Sequence, residues 1–158
     1  SYQGSHQALR GINLITHFSQ YVPGHAHLSL LFFAASTLMG AAYYALPRIC
    51  KCKLYSRALA SVQFWVYSVG FIFFFGGFLL TGLVQGTAWV RAGIPVWTAI
   101  PSLIPYMALR AAGGALVVIS FAMFAWNVLG TAWRREPVAE PEVPVSFERE
   151  PGAEAVSA

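Results

Sequence analysis

Apolar positions gather into three long runs without charge, each flanked by basic residues, proline or both. The first covers residues 24–46 and is closed by Pro47. As a helix it would rise about 35 Å, enough to cross a bilayer. The second falls within residues 58–90 and the third within 111–133, just after Arg110. These runs predict transmembrane helices at about 24–46, 61–88 and 109–133. Ahead of them, residues 5–21 interleave Leu9, Ile12, Leu14, Ile15 and Phe18 with His6, Arg10, Asn13 and His17. That spacing predicts an amphipathic helical segment within residues 1–22, the end of a preceding helix and an outer approach to the first span. Pro23 either ends it or opens the next helix. Prolines 95, 101 and 105 mark residues 91–105 as an outer loop, with Trp89 and Trp97 at the interface.

Composition agrees with the pattern. The chain is 57% hydrophobic and 10% charged, where soluble domains carry about 25% charge. The fold class is therefore all-α integral membrane. Charge placement adds topology. All six acids (Glu136, Glu140, Glu142, Glu148, Glu150 and Glu154) lie in the last 23 residues, whereas residues 1–135 hold nine Lys or Arg and no acid. The basic balance thus marks membrane orientation and excludes a nucleic-acid surface. It also denies residues 1–135 a carboxylate proton relay. Arg48, Lys51, Lys53 and Arg57 place the first loop on the cytoplasmic side, and Arg134 with Arg135 place the end of the third span there too. Residues 134–158, rich in Pro, Glu, Val and Ala, should form a disordered cytoplasmic tail. The opening at Ser1-Tyr2-Gln3-Gly4, with neither Met nor a signal-peptide pattern, suggests a fragment or processed piece.

Candidate chemistry centres on Gly24-His25-Ala26-His27, at the mouth of the first run. Histidines two apart on a helix point about 200° apart around its axis. They are badly placed to share one metal ion and well placed to hold two flat cofactors on opposite sides, as axial imidazoles of two haems would. Otherwise they are polar residues lining a helix contact or the interface. Gly24 either leaves room beside His25 or is a plain turn residue. Arg110, on the same outer side, suits haem propionates through its bidentate fork, or else it snorkels as an interfacial anchor. Cys50 and Cys52 should be reduced and free in a cytoplasmic loop, since two thiolates do not complete a metal site. Phe71, Phe73, Phe74, Phe75 and Phe78 form an aromatic mass facing lipid or cofactor. Gly82-Leu83-Val84-Gln85-Gly86, with Gly70 and Gly77, reads as helix packing.

Several motifs in this order carry a family resemblance: Ser1-Tyr2-Gln3-Gly4, Asn13, Thr16-His17-Phe18, Gly24-His25-Ala26-His27, Tyr43-Tyr44-Ala45-Leu46-Pro47-Arg48, Gln85-Gly86 and Ile104-Pro105-Tyr106…Arg110. Residues 1 to about 133 resemble the C-terminal part of subunit I of cbb3-type cytochrome c oxidases, the C family of haem–copper oxidases. The resemblance implies the last three helices of a twelve-helix bundle in a bacterial inner membrane. It implies a respiratory enzyme that reduces O2 to water with electrons from cytochrome c and translocates protons. It further implies two b-type haems, His25 binding the high-spin iron and His27 the low-spin iron, with His17, Arg110 and Asn13 near the propionates. Copper would be bound by residues outside this chain, so the fragment alone should be inactive. Implied partners are the remaining helices of subunit I, membrane-anchored c-type cytochrome subunits, cytochrome c and the lipid bilayer. Gln3 stands where the family usually has glutamate and cannot take up a proton as a carboxylate does. Gln63 stands where a histidine often precedes Phe-Trp. A nitric oxide reductase on the same scaffold, and a non-catalytic haem b membrane anchor, remain the alternatives.

Overall fold

The computed structural model describes residues 2–137, and nearly all of them are helical. Two short helices, α1 (Tyr2–Gln7) and α2 (Arg10–Thr16), lead into α3 (Tyr21–His27). The last continues without a break through a π-helical stretch, Leu28–Ala35, into α4 (Ser36–Ile49). Two long helices follow, α5 (Arg57–Ala92) and α6 (Val96–Arg134). Tyr21–Ile49, Arg57–Val90 and Trp97–Arg134 are each long and apolar enough to cross a membrane.

The approach segment is not one helix. The backbone at Phe18 takes a left-handed conformation (φ 62°) between α2 and α3. Ser19 stabilises the corner: its hydroxyl donates to the Thr16 carbonyl (2.8 Å) and accepts from the Tyr21 N–H (3.3 Å). Such local side-chain bonds compete with helix continuation.

Proline breaks less than the pattern implies. Pro47 lies inside α4, and Pro101 and Pro105 lie inside α6. The expected loop at 91–105 shrinks to residues 93–95, and the third helix starts well before residue 109. Gly93 turns the corner with φ 59°, a conformation glycine adopts without penalty. Arg110 therefore sits within α6 rather than at its start.

α5 and α6 form the packed centre of the chain. A Cβ on Gly113 would collide with the Phe74 backbone and lie 2.6 Å from the Gly70 carbonyl oxygen, so these backbones touch. This close approach is the small-residue packing that membrane helices use. Polar side chains buried in the same seam find partners within it. The Gln63 amide donates to Ser120 Oγ (2.8 Å), and Ser120 Oγ donates to the Gln63 carbonyl (3.2 Å). Below them Asn127 clamps Ser56, the residue capping α5. Its Oδ1 accepts the Ser56 N–H (3.1 Å) and its Nδ2 donates to the Ser56 carbonyl (2.9 Å). The apolar core gathers Met39, Tyr67, Phe71 and Val117 from three helices. At the same end Cys52 pairs with Pro137 and the Lys53 N–H donates to the Glu136 carbonyl (2.8 Å), so the chain just after α6 is tied to the α4–α5 loop. The rest of the expected tail lies outside the described residues.

Candidate functional site

α3 sets the stage. Gly24 is buried within the helix, and the space beside it is filled by Phe78 of α5, whose Cβ lies 2.9 Å from where a Gly24 Cβ would stand. It is thus a close-approach residue within a helix and not a turn. Gly77, one residue earlier on α5, meets α6 at Arg110: a Cβ there would come within 2.7–2.9 Å of Arg110 atoms. Neighbouring positions on α5 thereby bring His25-Ala26-His27 and Arg110 to opposite sides of one helix turn.

The two imidazoles have separate surroundings. His25, half-buried, reaches α1, where its Nδ1 lies 3.0 Å from Gln3 Oε1. His27 Nδ1 lies 2.7 Å from the Pro23 carbonyl oxygen. An amide oxygen only accepts, so in each ring Nδ1 carries the proton and donates. The free lone pair is then on Nε2 in both. Histidines that ligate metal show this arrangement, one nitrogen anchored and the other presented. The His27 ring stacks on Phe78 (centroids 4.9 Å, 25°) and meets Phe74 edge-on (5.3 Å).

Arg110 joins the His27 side. Its guanidinium lies 4.7 Å from the Phe78 ring centroid and donates to Gln20 Oε1 (3.0 Å). Gln20 is held in turn, its N–H donating to Gln85 Oε1 (2.9 Å). His27, Phe78, Arg110, Gln20 and Gln85 therefore form one connected group across α3, α5 and α6 and the corner before α3. Half-burial of Arg110 without a carboxylate partner among the described residues leaves a cation with spare donors there, as an anion-binding group needs.

His17 and Asn13 stand apart from this group. Both are exposed at α2; Asn13 Nδ2 donates to the Gln7 carbonyl (3.2 Å), and the His17 ring lies against Phe18 (4.0 Å). Sequence reasoning passed over Gln20 and the particular role of Phe78. Gln85 was visible as a polar residue inside a glycine motif and, with Gly86, as part of the family resemblance, without its contact to Gln20. No periodicity marks a glutamine that meets an arginine 90 positions away.

The donor chemistry suits haem iron. Each haem needs one imidazole from this chain, and the two Nε2 atoms belong to rings that face different neighbours. Among the described residues no group of three or more His, Cys, Asp or Glu could hold a bare metal ion.

Three membrane-length helices with an anchored imidazole pair at the mouth of the first define an all-helical integral membrane protein. Residues 1–116 match the family described as cytochrome c and quinol oxidase polypeptide I, and the chain belongs to that family, subunit I of the haem–copper oxidases. It is 26% identical over 148 residues to the "cytochrome c oxidase subunit 1 homolog" of Azorhizobium caulinodans, covering 89% of this chain and 27% of that protein. It is likewise 26% identical over 149 residues to the "Cbb3-type cytochrome c oxidase subunit CcoN1" of Stutzerimonas stutzeri, covering 89% of this chain and 30% of that one. The "cytochrome c oxidase polypeptide 1" of Halobacterium salinarum is 29% identical over 139 residues, covering 87% and 22%. The chain thus spans less than a third of the length of these curated relatives.

Proposed function

We propose that this chain is the haem-ligating C-terminal part of a cbb3-type oxidase catalytic subunit, in an enzyme that reduces O2 to water with electrons from cytochrome c. In this reading His25 is the axial ligand of a high-spin b-type haem and His27 that of a low-spin b-type haem. The observation that carries it is the pair of Nδ1 anchors, which leave Nε2 free on both rings of one helix. When bound, the haems supply the electron transfer and the reduction of O2.

The chain's own part is orientation. Gln3 and the Pro23 carbonyl fix the tautomer and rotation of the two rings, and Phe78 limits the tilt of His27. Gln3 is a neutral acceptor, so it holds His25 without drawing its proton as a carboxylate would. Arg110, steadied by Gln20, would pair with propionates, and His17 with Asn13 would line the approach to them. Copper would be held by residues outside this chain. Residues 1–135 contain no Asp or Glu, so a carboxylate proton path would run through other helices. Partners would be those helices and membrane-anchored c-type cytochrome subunits. The basic residues at 48–57 and 134–135 support a cytoplasmic C-terminus in a bacterial inner membrane.

The test is spectroscopic, on the assembled complex of the parent polypeptide. His25→Ala should abolish the carbon-monoxide-binding haem signal while the low-spin band survives, and His27→Ala should do the reverse. Retention of carbon monoxide binding in His25→Ala would sink the assignment.

A further inference from the structure

A second site lies at the other end of the bundle. A groove of about 400 Å3 opens on the outer face of α6, lined by Tyr55, Trp126, Leu129, Gly130, Trp133 and Arg134. Positions 126, 129, 130 and 133 follow one helix face, and all but Arg134 and Tyr55 contribute only apolar surface, backbone and indole. Its volume falls within the range of small-ligand sites. Gly130 keeps the floor low: a Cβ there would meet the Tyr55 ring at 2.8 Å. Trp126, Leu129 and Trp133 are strongly exposed, Trp133 at 90%.

The mouth of the groove is cationic. The Arg134 guanidinium sits 4.7 Å from the Tyr55 ring centroid and makes no hydrogen bond or ion pair among the described residues. A guanidinium on an aromatic face keeps its in-plane N–H donors free for an anion. Lys53 and Arg135 are exposed nearby in the chain, and the loop carrying Lys53 is tied to residues 136 and 137. The single described carboxylate, Glu136, is exposed, and only its carbonyl is engaged with Lys53. Indole and phenol rings at this depth, beside cations, match the headgroup boundary of a bilayer.

We propose that this groove binds an anionic phospholipid of the cytoplasmic leaflet. One acyl chain lies along Trp126, Leu129, Gly130 and Trp133, and the phosphate reaches the Arg134 guanidinium. Charge complementarity selects this occupant: a zwitterionic lipid brings the same phosphate together with a cation that meets the further basic residues, and an apolar helix brings no anion. The proposal rests on the membrane orientation and is independent of the haem assignment.

The parent complex would be reconstituted in vesicles of phosphatidylglycerol and phosphatidylcholine, extracted in mild detergent, and its retained lipids counted by native mass spectrometry. The unaltered protein should retain phosphatidylglycerol in preference. Arg134→Gln should lower that retention about fivefold and leave phosphatidylcholine unchanged, the loss expected for one arginine–phosphate contact at a membrane surface. Trp133→Ala should weaken phosphatidylglycerol retention in a complex of unchanged size, since that side chain is a freely exposed wall. A photoreactive residue in place of Trp133 should cross-link to lipid. Equal retention of the two lipids, full retention by Arg134→Gln, or a cross-link to polypeptide at position 133 would each overturn the proposal.

Discussion

The α5–α6 pair and the helix that carries the histidines are built on opposite principles. The pair packs on itself: its glycines let backbones touch, and its buried polar groups Gln63, Ser120, Asn127 and Thr131 bond to one another or to adjacent backbone, with the buried Thr81 hydroxyl of α5 left without a partner among the described residues. The first span is open. Only 6% of its most apolar stretch is buried, against 39% in α5, and Leu30, Phe33 and Leu38 are each about 70% exposed. It also holds the π-helical stretch, whose wider coil leaves carbonyls for side chains to collect. Tyr67 bonds the Leu31 carbonyl, and Thr37 bonds that of Phe33 (2.7 Å). Packed pair and open span are thus separate parts of the chain, and most of the open span's apolar surface is left uncovered by the described residues.

The sharpest way to break that contrast is to separate the pair. Gly113→Val places two methyl groups beyond a Cβ that already has no room against Phe74 and Gly70. The cost should be at least about 3 kcal/mol, because overpacking here cannot be relieved by a flexible side chain. No assembled, haem-containing complex should be recovered from membranes expressing it. Normal assembly of Gly113→Val would show that α5 and α6 do not pack as described.

Phe78→Ala tests one of the points where the two parts meet. The ring stacks on His27, fills the space at Gly24 and lies under Arg110, so its loss should cost about 3 kcal/mol. A thermal-unfolding series would report that cost, and under the proposed function the low-spin haem spectrum should shift while the carbon-monoxide-binding one holds. An unchanged low-spin spectrum would uncouple Phe78 from His27.

The sequence already exposed the division in part. Runs free of charge located the three membrane-length helices, because solvation of apolar side chains leaves a one-dimensional signal. Proline misled at 91–105: in α6 the residues before Pro101 and Pro105 stay helical, and membrane helices tolerate such prolines in their interior. The histidine pair was legible from spacing and from family resemblance. Its anchors were less so: Gln3 stood out only by departing from a familiar pattern, and Pro23 was seen as a helix boundary whose carbonyl has no sequence signature. Arg110–Gln20 and Gln63–Ser120 are long-range contacts between residues whose own neighbourhoods look ordinary.

Gln63→Leu sharpens the packed-pair side with a smaller effect. It removes the side-chain bond between α5 and α6 while Ser120 Oγ keeps its bond to the residue-63 carbonyl, so about 1 kcal/mol should be lost. Adding Ser120→Ala should then cost less than the same change in the unaltered protein, since the side-chain bond is already gone. A double-mutant cycle by unfolding reads the coupling, and strict additivity would mean that the two side chains do not bond.

The smallest effect concerns the joint where the α4–α5 loop meets the chain after α6. Cys52 is 1% exposed there, whereas Cys50 is half-buried. Burial pushes the Cys52 thiol above its ordinary value, Cys50 beside it adds to the rise, and Arg135 pulls the other way. Only the thiolate is nucleophilic, so a raised value keeps Cys52 protonated and unreactive as pH climbs toward 9.0, the value expected of a free thiol. Iodoacetamide at mildly alkaline pH should therefore label Cys50 at least about tenfold faster than Cys52 in the folded protein. Both should react alike once it is unfolded. Equal labelling of the two cysteines in the folded state would mean that the joint is open, and that the α5–α6 pair is less self-contained at its Cys52 end than at its centre.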